Sequence, residues 1–261
     1  MILLLFAGGF LVTGSANAIN QTVEKDTDAM MKRTAKRPVA SGRMSAAEGW
    51  AFAIITGLTG VAILGLYFNW LSAGVAAFSL FLYAFIYMPM KKKAAVAVFV
   101  GAFPGALPCL IGWTAATGLF WPFENLVVNG ESYSNLGGWV LFVIQFLWQF
   151  PHFWAIAWVA HKDYSTAGFK LLPSEAGPTK FTALQTIIYS FLLLPVGILP
   201  YTINMTGSTG IIVVTLANIF LIVQCVRLYI NMDVASARRV MFSSYIHLPV
   251  VLLALLADKI S

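Results

Sequence analysis

Charge is what this sequence has least of. Lys, Arg, Asp and Glu make up 10% of its 261 residues, against 59% hydrophobic residues and a mean hydropathy of +0.82. A soluble domain carries about a quarter charged residues. One aqueous core cannot hide this much apolar surface, so the scarcity excludes a soluble protein and makes lipid the solvent for most of the chain. Cysteine is nearly absent. Cys109 and Cys225 lie far apart in apolar runs without C-x-x-C spacing, which excludes a disulfide framework or zinc site and leaves two small packing residues. No polar stretch is long enough to fold separately and no repeat stands out, so residues 1–261 read as a single domain. The opening segment ends in the signal-like Ala16-Asn17-Ala18 but lacks the basic residues of a secretory signal. It reads instead as a membrane helix near the lower length limit of about 17 residues.

Apolar runs long enough to span a bilayer occupy residues 1–18, 48–67, 70–89, 95–117, 138–160, 181–203, 209–230 and 240–257. They predict an all-α fold, a polytopic transmembrane helical bundle of eight spans. The connections alternate in charge. Lys25, Lys32, Arg33, Lys36, Arg37 and Arg43 fall in the first, Lys91, Lys92 and Lys93 in the third, and Lys162, Lys170 and Lys180 in the fifth. Arg227, Arg238 and Arg239 flank the seventh, so all but Lys259 of the 16 basic residues share one face. Glu124, Glu131 and Asp258 lie opposite. The positive-inside rule assigns the basic face to the cytoplasm. Topology thus accounts for the net charge of +6, and no nucleic-acid partner is expected. Eight spans leave both termini outside, which is awkward without an export signal. A further helix before Met1 would cure this, so the expectation is a chain lacking its first helix.

The densest acidic patch is Asn20-Gln-Thr-Val-Glu24-Lys-Asp26-Thr-Asp28, at the cytoplasmic end of the first span. Asn20, Glu24 and Asp28 are spaced i, i+4, i+8, so on a continued helix their oxygens line one face, with Asp26 off it. Such a set suits Mg²⁺, which takes a couple of carboxylates, keeps several waters and adds substrate phosphate oxygens. Lys32-Arg33-Thr34-Ala-Lys36-Arg37-Pro38 follows at once. Arginine forks and lysine point charges suit a diphosphate. Acids for a metal followed by bases for an anion are what ionising an allylic diphosphate requires. In the span 138–160, Gln145, Gln149 and His152 share one helical face beside Pro151. Polar groups there face a cavity or neighbouring helices.

These motifs resemble the intramembrane, UbiA-type prenyltransferase superfamily, and within it the protohaem IX farnesyltransferases (haem O synthases). The first motif, Asn20 to Pro38, fits any member of the superfamily. Gly105-Ala-Leu-Pro-Cys-Leu-Ile-Gly-Trp113, Pro151-His152-Phe153-Trp154 and Lys162-Asp163-Tyr164 through Leu172-Pro173 indicate the haem branch. The resemblance covers nearly the whole chain. It departs from the pattern in two ways: eight spans stand where the family has nine, and Glu24 stands where an aspartate is usual.

The resemblance implies a site and a reaction. Asn20, Glu24, Asp28 and Asp163 are expected to hold Mg²⁺ and act catalytically; Lys32, Arg33, Arg37 and Lys162 are expected to bind the diphosphate. His152 and Gln149 are expected to contact haem. The implied reaction transfers farnesyl from farnesyl diphosphate to a vinyl group of protohaem IX (haem B). It would run in the bacterial inner membrane with the active-site loops cytoplasmic, the mitochondrial inner membrane being the lesser alternative. The implied partners are the lipid bilayer, the two substrates, and a haem A synthase or terminal oxidase assembly taking the product. A sister enzyme acting on a quinone precursor is the close rival. A transporter is a remote one, since transport calls for ionisable residues buried mid-span. Lys91, Lys92 and Lys93 read mainly as a lipid-facing basic loop, and His247 as a packing residue.

Overall fold

The computed structural model describes residues 1–128, 130–174 and 176–260. Among them are eight helices long and apolar enough to cross a membrane. These are α1 (Ile2–Val23), α3 (Ala46–Tyr67), α4 (Trp70–Met90), α5 (Ala97–Thr117), α6 (Leu136–Val159), α8 (Lys180–Thr202), α9 (Ser208–Asn231) and α10 (Val234–Ala257). Two short helices, α2 (Lys25–Met30) and α7 (His161–Thr166), lie between spans.

The helices outrun the apolar runs that announce them. α1 continues past residue 18 to Val23, and α10 starts at Val234 rather than 240. The hydrogen-bond ladder needs no apolar side chains, only a start and a stop. Asp233 gives α10 its start, its Oδ1 accepting from the Ser236 N–H at 2.7 Å. Ser45 and Glu48 do the same for α3 in a reciprocal capping box. A β-hairpin, β1 (Asn125–Val128) and β2 (Glu131–Ser134), interrupts the all-α pattern in the α5–α6 connection. Its signal is the Asn129-Gly130 pair between Leu126-Val127-Val128 and Tyr133, with Gly130 at φ +86°. Asn129 itself lies outside the described residues, as does the side chain of Glu131.

The chain divides into two compact units. The first comprises Met1–Phe120 and Lys162–Lys170, and so contains α1 to α5. Here α1 lies against α3 at backbone distance. A Cβ on Gly60 would sit 2.9 Å from both the Gly8 carbonyl oxygen and the Val12 nitrogen. Ser15 Oγ donates to the Ala53 carbonyl at 2.7 Å, tying the same two helices. Leucine offers no drive for helix association in lipid, so small residues that admit close approach provide the contact. Against α5, Gly101 leaves room for the Tyr87 ring of α4; a Cβ there would meet Tyr87 Cε2 at 2.5 Å.

The second unit comprises Trp121–His161 and Leu171–Ser261, with α6, α8, α9 and α10 around a core of Ile144, Leu193, Leu221, Leu228 and Val251. Polar side chains join its helices. Trp148 Nε1 donates to the Ser244 carbonyl at 3.0 Å, and Asn218 Nδ2 to the Leu193 carbonyl at 2.9 Å. His247 Nε2 meets Asn218 Oδ1 at 2.8 Å. Since the Asn218 oxygen accepts, that histidine nitrogen carries the proton. On the outside of both units, Leu3, Phe6, Leu58, Trp70, Phe220 and Ile230 are exposed, the inverted pattern a bilayer solvates.

Candidate active site

The α1–α2 segment holds Asn20, Glu24 and Asp28 in one column. Helical hydrogen bonding carries across the junction, the Glu24 N–H donating to the Asn20 carbonyl at 2.9 Å and the Asp28 N–H to the Glu24 carbonyl at 2.7 Å. All three side chains are buried, whereas Asp26 is exposed. A second column faces the first. A π-helical stretch, Leu82–Tyr87, lies inside α4; it contains Tyr83 and Tyr87, and Lys91 follows at the same spacing of four. Such π segments re-aim side chains and occur often at functional sites.

Lys91 joins the columns. Its Nζ donates to Asn20 Oδ1 at 2.6 Å and lies 3.2 Å from Glu24 Oε1. The ammonium stands 4.8 Å from the Tyr87 ring centroid and 5.7 Å from that of Tyr83, where the aromatic faces favour a cation. Tyr83 Oη donates to Asn20 Oδ1 at 3.3 Å. Burial raises the Glu24 carboxyl above its ordinary range, the Lys91 charge opposing the shift. Burial lowers the Lys91 ammonium in the same way, Glu24 opposing.

The basic loop closes on the acidic end. Arg37 Nη1 donates to Asp28 Oδ1 at 3.0 Å and Oδ2 at 2.8 Å, and Thr34 Oγ1 donates to the Asp28 carbonyl at 2.9 Å. Arg33 Nη2 donates to Tyr164 Oη at 2.7 Å, and its guanidinium lies over that ring at 5.3 Å. Burial raises the Tyr164 phenol, with Arg33 opposing. Lys32 is exposed, as is Lys162 on α7; Asp163 beside it is half-buried. Among the described residues no three or more His, Cys, Asp or Glu side chains gather as a metal-holding group. Asp163 therefore does not join Glu24 and Asp28 in one.

Lys91 corrects the reading of its loop. Lys92 and Lys93 are exposed, but Lys91 is 8% exposed and points at the acids. Counting charge per loop could not separate the three. The shared spacing of Tyr83, Tyr87 and Lys91 with Asn20, Glu24 and Asp28 could have done so. The link from Arg33 to Tyr164 carries no such local signal.

In the second unit, His152 is buried and stacked on Trp148, ring centroids 4.4 Å apart. Its Nδ1 meets Ser244 Oγ at 2.8 Å. The Ser244 hydroxyl also reaches the Met241 carbonyl at 2.6 Å; donating there, it accepts the Nδ1 proton and leaves the lone pair on Nε2. Gln149 is buried one turn earlier, its Nε2 donating to the Gln145 carbonyl at 3.2 Å.

A column of buried oxygens thus faces a column of two half-buried tyrosines and one buried ammonium, on helices long and apolar enough to cross a membrane. Residues 1–246 match the UbiA prenyltransferase family. The chain belongs to that family. It is an integral membrane enzyme, a prenyltransferase. A relative in Cytophaga hutchinsonii, named protoheme IX farnesyltransferase, is 41% identical over 99% of this chain and 86% of its own. One of the same name in Flavobacterium psychrophilum is 39% identical over 99% of this chain and 82% of its own. A solved structure concerned with digeranylgeranylglyceryl phosphate synthase gives a TM-score of 0.75 at 20% identity, covering 98% of this chain and 84% of that one. A UbiA homologue from Aeropyrum pernix gives 0.67 at 19%, covering 98% and 86%. At those identities the two structures speak to the fold alone.

Proposed function

We propose that this prenyltransferase moves a farnesyl group from farnesyl diphosphate to a vinyl group of protohaem IX, giving haem O and diphosphate. The observation that carries the substrates is the name shared by relatives of 37–41% identity along almost the entire chain. The buried oxygen column supports the chemistry. Asn20, Glu24 and Asp28 offer hard oxygen donors at a point where an ammonium already binds, a donor set that fits Mg²⁺. When bound, the ion would neutralise the charge that develops on the leaving diphosphate. Asp163, outside that group, would act on the ion's water shell.

The chain's own residues supply the rest. Arg37 fixes the Asp28 carboxylate through two hydrogen bonds, and its partly exposed guanidinium keeps donors for a diphosphate oxygen. Arg33 is held by Tyr164, which limits the rotamers it must give up on binding an anion. Lys32 and Lys162 add mobile point charges. The apolar spans keep water from quenching an allylic cation. In the second unit, His152 with Nδ1 tied to Ser244 offers Nε2 to haem, and Gln149 offers an amide. The basic loops would lie on the cytoplasmic face of a bacterial inner membrane, and the product would pass to a haem A synthase or oxidase assembly.

The test is mass spectrometry of membranes carrying this chain, given protohaem and farnesyl diphosphate with and without Mg²⁺. A haem heavier by one farnesyl and one water, formed only with Mg²⁺, is expected. Product on a quinone precursor but none on haem would move the assignment to the sister activity.

A further inference from the structure

Asn20 Oδ1 is fully subscribed. An amide oxygen has two lone pairs, and here it accepts from Lys91 Nζ at 2.6 Å and Tyr83 Oη at 3.3 Å. The same ammonium lies 3.2 Å from Glu24 Oε1. A magnesium ion needs oxygens at about 2.1 Å in octahedral array. It cannot take these two while an ammonium sits on both, because the positive charges would adjoin in a buried setting where water screens little. We propose that Lys91 is a built-in competitor of the metal: it occupies the ligands Asn20 and Glu24 and must leave them before a divalent ion binds. This rests on the reading of Asn20, Glu24 and Asp28 as metal ligands.

The surroundings are built to hold the ammonium. Lys91 is 8% exposed, flanked by the Tyr83 and Tyr87 faces. Its carbonyl accepts from the Lys170 N–H at 3.1 Å, which pins the backbone. Lys92 and Lys93, one and two residues on, are exposed and reach neither oxygen. The arrangement has a chemical use. A buried carboxylate without a counter-ion is costly, so a resident cation keeps Glu24 compensated between turnovers. It also weakens the hold on the metal, which lets a metal–diphosphate product leave.

The experiment titrates Mn²⁺ into EDTA-stripped, detergent-purified full chain, reading free ion by electron paramagnetic resonance. Lys91→Met is expected to tighten Mn²⁺ binding by about tenfold or more, within the usual range for coupled sites. Lys91→Arg, which keeps a cation, is expected to remain near wild type. Glu24→Gln is expected to weaken binding in both backgrounds. If Glu24→Gln and Asp28→Asn change nothing, the metal-ligand reading falls. If they weaken binding but Lys91→Met does not tighten it, the competitor alone falls. A second readout needs no variant. Acylation of the Lys91 amine by an N-hydroxysuccinimide ester, followed by peptide mass spectrometry, is expected to rise severalfold with saturating Mn²⁺. Labelling that ignores Mn²⁺ overturns the proposal even where Lys91→Met fails to fold.

Discussion

Asp28 has no exposed surface, and both its oxygens accept from one arginine. Removing Arg37 strands a buried charge; removing the charge on Asp28 strands only an arginine that water can reach. Breaking a buried pair from the side that leaves the ion inside costs about 3–5 kcal/mol. Arg37→Met is therefore expected to destabilise by about 3 kcal/mol, the low end because its side chain is partly exposed. Asp28→Asn, which keeps an acceptor for the guanidinium, is expected to cost clearly less yet lower turnover by roughly 100-fold or more. Thermal unfolding followed by intrinsic tryptophan fluorescence ranks the two. An order with Asp28→Asn the less stable would remove Arg37 as the counter-ion. This column could be read from spacing alone, because helical geometry turns i, i+4, i+8 into a face. Counting charge per loop leaves Lys91 level with Lys92 and Lys93; only its spacing of four from Tyr87 and Tyr83 marks it, and residue composition does not announce the π-helical stretch that aims it.

At the scale of elements, the placement of Asn20 and Glu24 depends on how closely α1 approaches α3. Gly60 and Gly9 separate the two things a helical glycine can do. At Gly60 a Cβ would press on the backbone of Gly8 and Val12, which cannot rotate away, whereas at Gly9 nothing lies within 4 Å. Gly60→Ala must push the helices apart, at about 1–3 kcal/mol. Gly9→Ala removes a flexible residue from a helix and is expected to be neutral or stabilising by up to about 1 kcal/mol. The pair, compared by thermal midpoint and Mn²⁺ affinity, is expected to diverge in both. Equal behaviour would mean that α1 does not depend on close contact for its position. The spans themselves were legible because a bilayer demands long apolar runs. Their ends were not, since caps such as Asp233 act through geometry rather than hydropathy. The hairpin after α5 leaves no mark in hydropathy, since its signal is an Asn-Gly pair between short β-forming segments.

At the scale of the molecule, the proposed tasks fall to separate compact units. The metal and diphosphate residues belong to the first and the haem residues to the second, so loss of one task should leave the other intact. His152 is stacked on Trp148 and tied to Ser244, both in its own unit. Asp28→Asn is therefore expected to show the same large loss of turnover while leaving the change in the haem Soret band on titration as in wild type. His152→Ala is expected to lose that change while keeping wild-type Mn²⁺ affinity. Ser244→Ala provides the finer probe. Without the hydroxyl, Nδ1 loses its partner and the lone pair is no longer confined to Nε2, so haem is expected to bind more weakly with an altered Soret position. A His152→Ala protein that binds haem as wild type does would move the acceptor site elsewhere. Mn²⁺ affinity that falls with His152→Ala would show instead that the two tasks are coupled, and the variants of one unit would then have to be reread through the other.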